Sequence, residues 1–363
     1  MTERVAVLGA GGFVGSRLVE VLHLTGAATV IPVVRRVPAM ARSSRFDLPV
    51  ALADTRHSEQ LTRVLAGCTS VVDCTVGMPD SIEASARALI PAAKAAGVRR
   101  VTYLSSASVH GQNPPPGSDE DSSLSDRQEM AYNNAKVRAE NHLFTDAKQY
   151  EMELFVLRPS IVFGPRDRWL TSLVEELKCG SAWLIENGQG ICNSIYVDNL
   201  IEAILCCLRA PASAAGSPYL VGDAEEVTWA SLYRLTAAAL GLDYVTVHQL
   251  PVPPAPLRSP LDALNDLRAQ PISQRLISVV PSSIKRVFKG ALSGLQPVKR
   301  PNPWNLSSGN TLPSPSREMV LLQQCKYRFP YGKAAQALDY KPVISFEEGH
   351  RRTLQWMAWA ELV

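Results

Sequence analysis

Arg4-Val5-Ala6-Val7-Leu8-Gly9-Ala10-Gly11-Gly12-Phe13-Val14-Gly15 opens the chain with a short apolar run, a cluster of glycines and the first turn of a helical pattern. A strand that turns straight into a helix leaves the first helical N–H groups without partners. With the positive end of the helix dipole they make a ready site for phosphate. Glycine is required at three places for three reasons. Gly9 allows the tight turn, Gly12 lets the backbone approach a pyrophosphate, and Gly15 lets the helix lie close on the strand. Phe13 and Val14 add backbone donors at the start of the helix. Between a strand and a helix, this pattern predicts a bound dinucleotide.

The flanking sequence repeats the same alternation. Strands are expected at 29–34, 50–52, 70–74, 100–104 and 153–157, with helices at 12–24, 58–66, 81–96 and 127–148. Repeated strand-then-helix order builds a parallel sheet covered on both faces, an α/β doubly wound fold of the Rossmann type, with ligands beyond the C-terminal strand ends. Residues 1–158 are expected to form the dinucleotide-binding domain. Residues 159–363 then form mostly a smaller substrate-binding lobe, with some segments returning to the first domain. Between about 251 and 325 the chain becomes rich in proline and serine and reads as a basic insertion or lid. Within it Ile284, Val287, Phe288, Ala291, Leu292 and Leu295 recur at helical spacing, with Lys285, Arg286 and Lys289 opposite. Such a helix, at 283–295, suits docking on its own domain, a membrane surface or a lipophilic substrate.

Composition narrows the field further. With 46% hydrophobic and 20% charged residues over 363 positions, the chain is of ordinary globular type. A net charge of +3 gives no basis for a nucleic-acid partner. No apolar run is long enough for a membrane-spanning helix, and the short apolar start is no signal peptide, so a cytoplasmic protein is expected. The seven cysteines are odd in number and scattered, which predicts reduced core thiols, and the six histidines form no metal-binding unit.

The second strand ends Val33-Val34-Arg35-Arg36. A carboxylate there would accept from the ribose hydroxyls of NAD, whereas arginine pairs with the extra phosphate of NADP. NADP(H) is therefore favoured, with NAD(H) as the alternative. Asp54, after the third strand, is a candidate acceptor for the adenine amino group.

Tyr132-Asn133-Asn134-Ala135-Lys136 sits in a helical stretch, where residues four apart share a face. A tyrosine is a poor acid or base near neutrality, and a neighbouring ammonium is expected to lower its pKa. Tyr103-Leu104-Ser105-Ser106-Ala107-Ser108-Val109-His110-Gly111 leaves the fifth strand at the ligand-binding edge, where a serine can hold a reacting oxygen. Together with the glycine loop and Leu157-Arg158-Pro159-Ser160-Ile161-Val162-Phe163-Gly164-Pro165-Arg166-Asp167, these segments resemble the extended short-chain dehydrogenase/reductase family. That family includes nucleotide-sugar epimerases, 3β-hydroxysteroid dehydrogenases and dihydroflavonol-type reductases. Ser194-Ile195-Tyr196-Val197-Asp198-Asn199-Leu200 resembles the family's start of a helix, with Asp198 as its N-cap.

The resemblance implies an NAD(P)-dependent oxidoreductase with Ser106, Tyr132 and Lys136 as catalytic residues. Lys136 also binds the nicotinamide ribose. Ser105 and Pro159 are placed with the cofactor; Ser108 and Ile161, with Ser106 and Tyr132, contact substrate. His110 stands where tyrosine is common and reads as a packing substitution. Ala107 and Ser108 replace the acidic pair of the family's dehydratases, and Ile161 replaces an asparagine that meets a sugar diphosphate. With Arg35 and Arg36 these departures point to reduction of a carbonyl on a hydrophobic or aromatic small molecule by hydride transfer, Tyr132 being the general acid. The alternatives are a nucleotide-sugar epimerase or a 3β-hydroxysteroid-type dehydrogenase/isomerase, and then a non-catalytic dinucleotide sensor. A homodimer is compatible with the family likeness.

Overall fold

The computed structural model describes residues 3–252 and 315–363, so the helical pattern at 283–295 and its expected lipid or substrate contact lie outside the described residues. In one parallel sheet, β2 (Thr29–Val34) and β3 (Ala51–Leu52) are added on one side of β1 (Arg4–Leu8), and β4 (Ser70–Asp73), β5 (Arg100–Leu104), β6 (Glu153–Pro159) and β10 (Ser217–Val221) on the other. The spatial order is β10-β6-β5-β4-β1-β2-β3. The order reverses between β1 and β4, and the glycine loop leaves β1 at that switch point, where an open α/β sheet offers a crevice.

The strands are apolar throughout because both faces are covered. In β1, Val5 and Val7 join one core with α1 (Phe13–Thr25) and α6 (Val197–Arg209). Ala6 and Leu8 point the other way, into a core formed with α2 (Ser58–Leu65), α3 (Pro79–Ala95) and α4 (Ala131–Tyr150). The helix expected from 127 begins only at Ala131. Asn134 explains the delay: its side chain both accepts from the Gln128 N–H at 2.7 Å and donates to the Gln128 carbonyl at 2.9 Å, fixing a turn ahead of the helix.

Beyond β6 the chain forms two small parallel pairs. β7 (Ile161–Phe163) pairs with β9 (Ser194–Tyr196), and β8 (Trp183–Ile185) pairs with β11 (His248–Leu250). α5 (Trp169–Lys178) and α7 (Trp229–Ala239) supply their core, as do Phe346 and Met357 of the C-terminal helix. The return to the first domain is β10, which extends the sheet beside β6. α8 (Arg317–Gln323), α9 (Gly332–Leu338) and α10 (Phe346–Trp359) complete the described chain.

Two expectations are corrected by packing. Residues 317–325 belong to the body rather than to an insertion: Gln323 accepts from the Ile185 N–H at 2.8 Å, and the Ile191 N–H donates to the Cys325 carbonyl at 2.6 Å. Asp198 is not the N-cap of α6. It lies inside the helix, where it takes Arg17 of α1 at 2.6 Å and 3.1 Å and ties the two helices that cover one face of the sheet.

Candidate active site

The glycine loop is built from close backbone approaches. Gly9 has φ +73°, and a Cβ there would stand 3.0 Å from the Cys74 carbonyl oxygen. A Cβ on Gly15 would come within 2.3 Å of the Gly9 carbonyl oxygen, so α1 could not lie where it does. Gly12 is the N-cap of α1, and Phe13 and Val14 form its first turn. Gly11, which the sequence reading passed over, is equally constrained: its Cβ would sit 2.6 Å from the Ala39 carbonyl oxygen.

Above the loop is a cavity of about 640 Å³ bordered by Gly11, Gly12, Phe13, Arg42, Arg166 and Arg168. Arg166 stands in the left-handed region at φ 78°. Burial, then the neighbouring Arg42, lowers its pKa from the usual value. Asp167 holds this turn by accepting from the N–H groups of Gly164 at 2.9 Å and Leu170 at 2.7 Å. Unpartnered helical N–H groups beside three guanidinium groups suit the pyrophosphate of a dinucleotide. The three arginines were missed because they come from two loops far apart in sequence, and no local spacing connects them.

Arg35 and Arg36 follow β2 directly and are exposed, as a 2′-phosphate contact at this edge requires. Asp54 is already engaged. Arg56 holds its carboxylate with contacts from 2.5 Å to 3.2 Å and keeps its pKa well below the usual carboxylate range, so Asp54 offers the adenine amino group a partly occupied acceptor.

Ser106 and Tyr132 line one cavity of about 240 Å³. β5 delivers Ser106 to its C-terminal edge, where the serine caps the short turn Ala107–His110 and accepts from the Ser108 backbone at 3.2 Å. The Ser108 hydroxyl donates to Ser106 at 2.9 Å. Pro159 and Ile161, at the β6–β7 junction, form the facing wall with Trp169 and Phe329.

Three neighbouring groups are engaged by other partners. Ser105 is buried and gives its hydroxyl to Glu140 of α4, so it is turned away from the nicotinamide contact expected of it. Lys136 is buried and donates to the Leu104 carbonyl at 2.7 Å and the Tyr103 hydroxyl at 3.1 Å, leaving its ammonium 6.0 Å from the centre of the Tyr132 ring. His110 packs 5.6 Å from the Phe329 ring and approaches Arg158 at 3.2 Å; burial and Arg158 push its pKa down to about 4.

The electrostatics revise one expectation. Lys136 does not hold the Tyr132 phenol down here; burial and the Glu318 carboxylate push it up to about 12. Burial also lowers Lys136 to about 8, against the attraction of Asp73 and Glu140. A phenol is protonated at neutral pH without such a shift, and the raised pKa makes Tyr132 a weaker acid than a free tyrosine. Glu318 was missed because it lies past the proline-rich stretch; Ser316 before an apolar run marks a helix start, yet nothing in the sequence places that helix over Tyr132.

A glycine-lined dinucleotide crevice that adjoins a serine and tyrosine cavity defines an NAD(P)-dependent α/β enzyme. Residues 5–222 match the family model for the NAD dependent epimerase/dehydratase family, and the chain belongs to that family, within the extended short-chain dehydrogenase/reductases. It is 30% identical over 270 residues to a UDP-glucose 4-epimerase of Vibrio cholerae, covering 70% of this chain and 80% of that protein. A 3β-hydroxysteroid-dehydrogenase/decarboxylase of Arabidopsis thaliana is 26% identical over 82% of this chain, which spans 58% of that relative's length. A 2-alkyl-3-oxoalkanoate reductase of Shewanella oneidensis is 23% identical over 95% of this chain and 84% of its own. The fold matches a dTDP-glucose 4,6-dehydratase from Streptomyces venezuelae with NAD bound, at a TM-score of 0.69 and 19% identity, over 99% of this chain and 100% of that one.

Proposed function

We propose that this enzyme reduces a carbonyl on a hydrophobic or aromatic small molecule, using NADPH. The observation that carries the reading is the meeting of Ser106 and Tyr132 at one cavity whose facing walls are mostly apolar, including Pro159, Ile161, Val162, Trp169 and Phe329. When bound, the dinucleotide supplies the hydride. Ser106 holds the substrate oxygen and Tyr132, protonated at neutral pH, donates to that oxygen as negative charge gathers on it. Lys136 spends two of its three N–H donors on Leu104 and Tyr103, and the third serves the nicotinamide ribose. Ser108 steadies Ser106, while Ile161 gives the substrate an apolar contact.

Arg35 and Arg36 support NADPH over NADH, because a charge-assisted hydrogen bond to a 2′-phosphate is worth about 1.5–3 kcal/mol. The likeness to an oxoalkanoate reductase over most of both chains favours net reduction. A second reading, nucleotide-sugar epimerisation, draws on the 30% identity to a UDP-glucose 4-epimerase. Ile161 counts against it, since an isoleucine offers a sugar diphosphate no hydrogen bond. Denaturing the purified protein and identifying any released nucleotide separates the two. Tightly held NAD favours the epimerase; protein that releases none and then binds NADPH more tightly than NADH favours the reductase.

A further inference from the structure

Among the described residues that line the Ser106 and Tyr132 cavity, Glu318 is the one with a formal charge. It comes from α8, whose first turn is fixed on both sides. Ser316 caps the helix by accepting from the Met319 N–H at 3.2 Å, and Arg317 pairs with Glu129, just ahead of α4, at 2.9 Å. Val320 and Gln323 on the inner side of the same short helix are buried. Glu318 itself is exposed, which puts its carboxylate at the mouth of the cavity. The glycine-loop cavity has the opposite character, with Arg42, Arg166 and Arg168 on its border. Among the described residues, the border of the glycine-loop cavity is therefore positive and that of the Tyr132 cavity negative.

We propose that Glu318 is a specificity-determining residue that bars anionic substrates from the Tyr132 cavity and selects uncharged carbonyl compounds, so that this chain parts in substrate charge from the oxoalkanoate reductase it resembles, whose named substrate is a carboxylate. This rests on the carbonyl-reductase reading for its substrate class, although the placement of the carboxylate against Tyr132 does not. At the mouth the exposed Glu318 carboxylate is partly screened by water, so its repulsion of an entering anion is strongest at low salt. The same carboxylate helps keep the phenol protonated. The titratable groups facing Tyr132 are Glu318 from α8, Lys136 one turn along its own helix, and the buried Tyr103 of β5.

The test uses two ketones of the same shape, para-acetylbenzamide and para-acetylbenzoate, with NADPH oxidation followed in wild type, Glu318→Gln and Glu318→Asp. The wild type should prefer the amide by about tenfold or more in kcat/KM. That ratio should collapse toward one in Glu318→Gln and survive in Glu318→Asp. An unchanged ratio in Glu318→Gln overturns the proposal. If the wild type reduces neither ketone, the carbonyl-reductase reading fails for this substrate class and a ligand-free measurement decides the role of Glu318. With carbon-13-labelled tyrosine, and Tyr132→Phe used to assign the signal, Tyr132 should be more ionised at about pH 11 in Glu318→Gln than in wild type. Equal ionisation in the two proteins overturns the proposal.

Discussion

Glu140 and Arg158 form an ion pair taken almost wholly out of water, with 1% and 3% of their surfaces exposed. Arg158 donates to Glu140 at 2.6 Å, 3.1 Å and 3.2 Å, Ser105 adds its hydroxyl, and the Glu120 carbonyl accepts from Arg158 at 3.1 Å. The pair lies beneath the strand edge that delivers Ser106. Replacing Glu140 alone with methionine strands a buried guanidinium, and replacing Arg158 alone strands a buried carboxylate. Either change is expected to cost about 3–5 kcal/mol, the usual effect of breaking a buried pair from one side. The double replacement removes both charges and leaves without these partners the Ser105 hydroxyl, the Glu120 carbonyl and a His110 ring nitrogen, neutral groups that each cost less than a stranded charge. It should therefore be no worse than either single variant, far from the roughly 6–10 kcal/mol that two independent losses would give. Urea unfolding of wild type, both singles and the double closes the cycle. Single losses below about 1 kcal/mol, or a double loss equal to the sum of the singles, would refute a tightly coupled buried pair.

Four further outcomes are expected. Tyr132→Phe should lower turnover by about 10²–10⁴-fold with NADPH affinity nearly intact, and substrate-dependent NADPH oxidation at wild-type rate would remove Tyr132 from the chemistry. Replacing Arg35 and Arg36 together with neutral residues should weaken NADP(H) about ten- to a hundredfold and spare NAD(H), an effect that shrinks in high salt; fluorescence titrations with both nucleotides check it. Gly15→Ala should cost about 1–3 kcal/mol or more, since a Cβ would press on the Gly9 backbone, and dinucleotide binding should fall with it in a thermal-shift and titration experiment. Lys136 has a folded-state pKa of about 8, below its unfolded value, so its burial penalty is full at neutral pH and is relieved as pH rises. Relative to Lys136→Met, wild type should gain stability between about pH 8 and pH 10, and a flat difference in urea midpoints across that window would contradict the buried ammonium.

Local rules made the fold legible and left the surroundings of the candidate site hidden. Gly9, Gly12 and Gly15 each answer to a constraint within a few residues or from the adjoining strand, so their spacing announces the strand, the loop and the helix together. That Ser106 and Tyr132 share a cavity follows for a related reason: each sits where one element ends or presents a face at the sheet edge, and that edge follows from the order of the strands. Lys136 shows where such reasoning stops. Helical spacing puts it on the same face as Tyr132, but the Leu104 carbonyl and the Tyr103 hydroxyl compete for its ammonium, and that competition belongs to the packing of α4 on β5. Ser105 was misdirected in the same way, because the buried carboxylate that claims its hydroxyl comes from a helix that sequence periodicity cannot dock to atomic register. Glu318 is the extreme case. It lies beyond the proline-rich stretch, and the contacts of α8 with β8, α7 and Glu129 bring it to the cavity of a tyrosine from the other half of the chain. Constraints of backbone geometry are thus written in short motifs, whereas the charged groups around the Ser106 and Tyr132 cavity are placed by long-range packing.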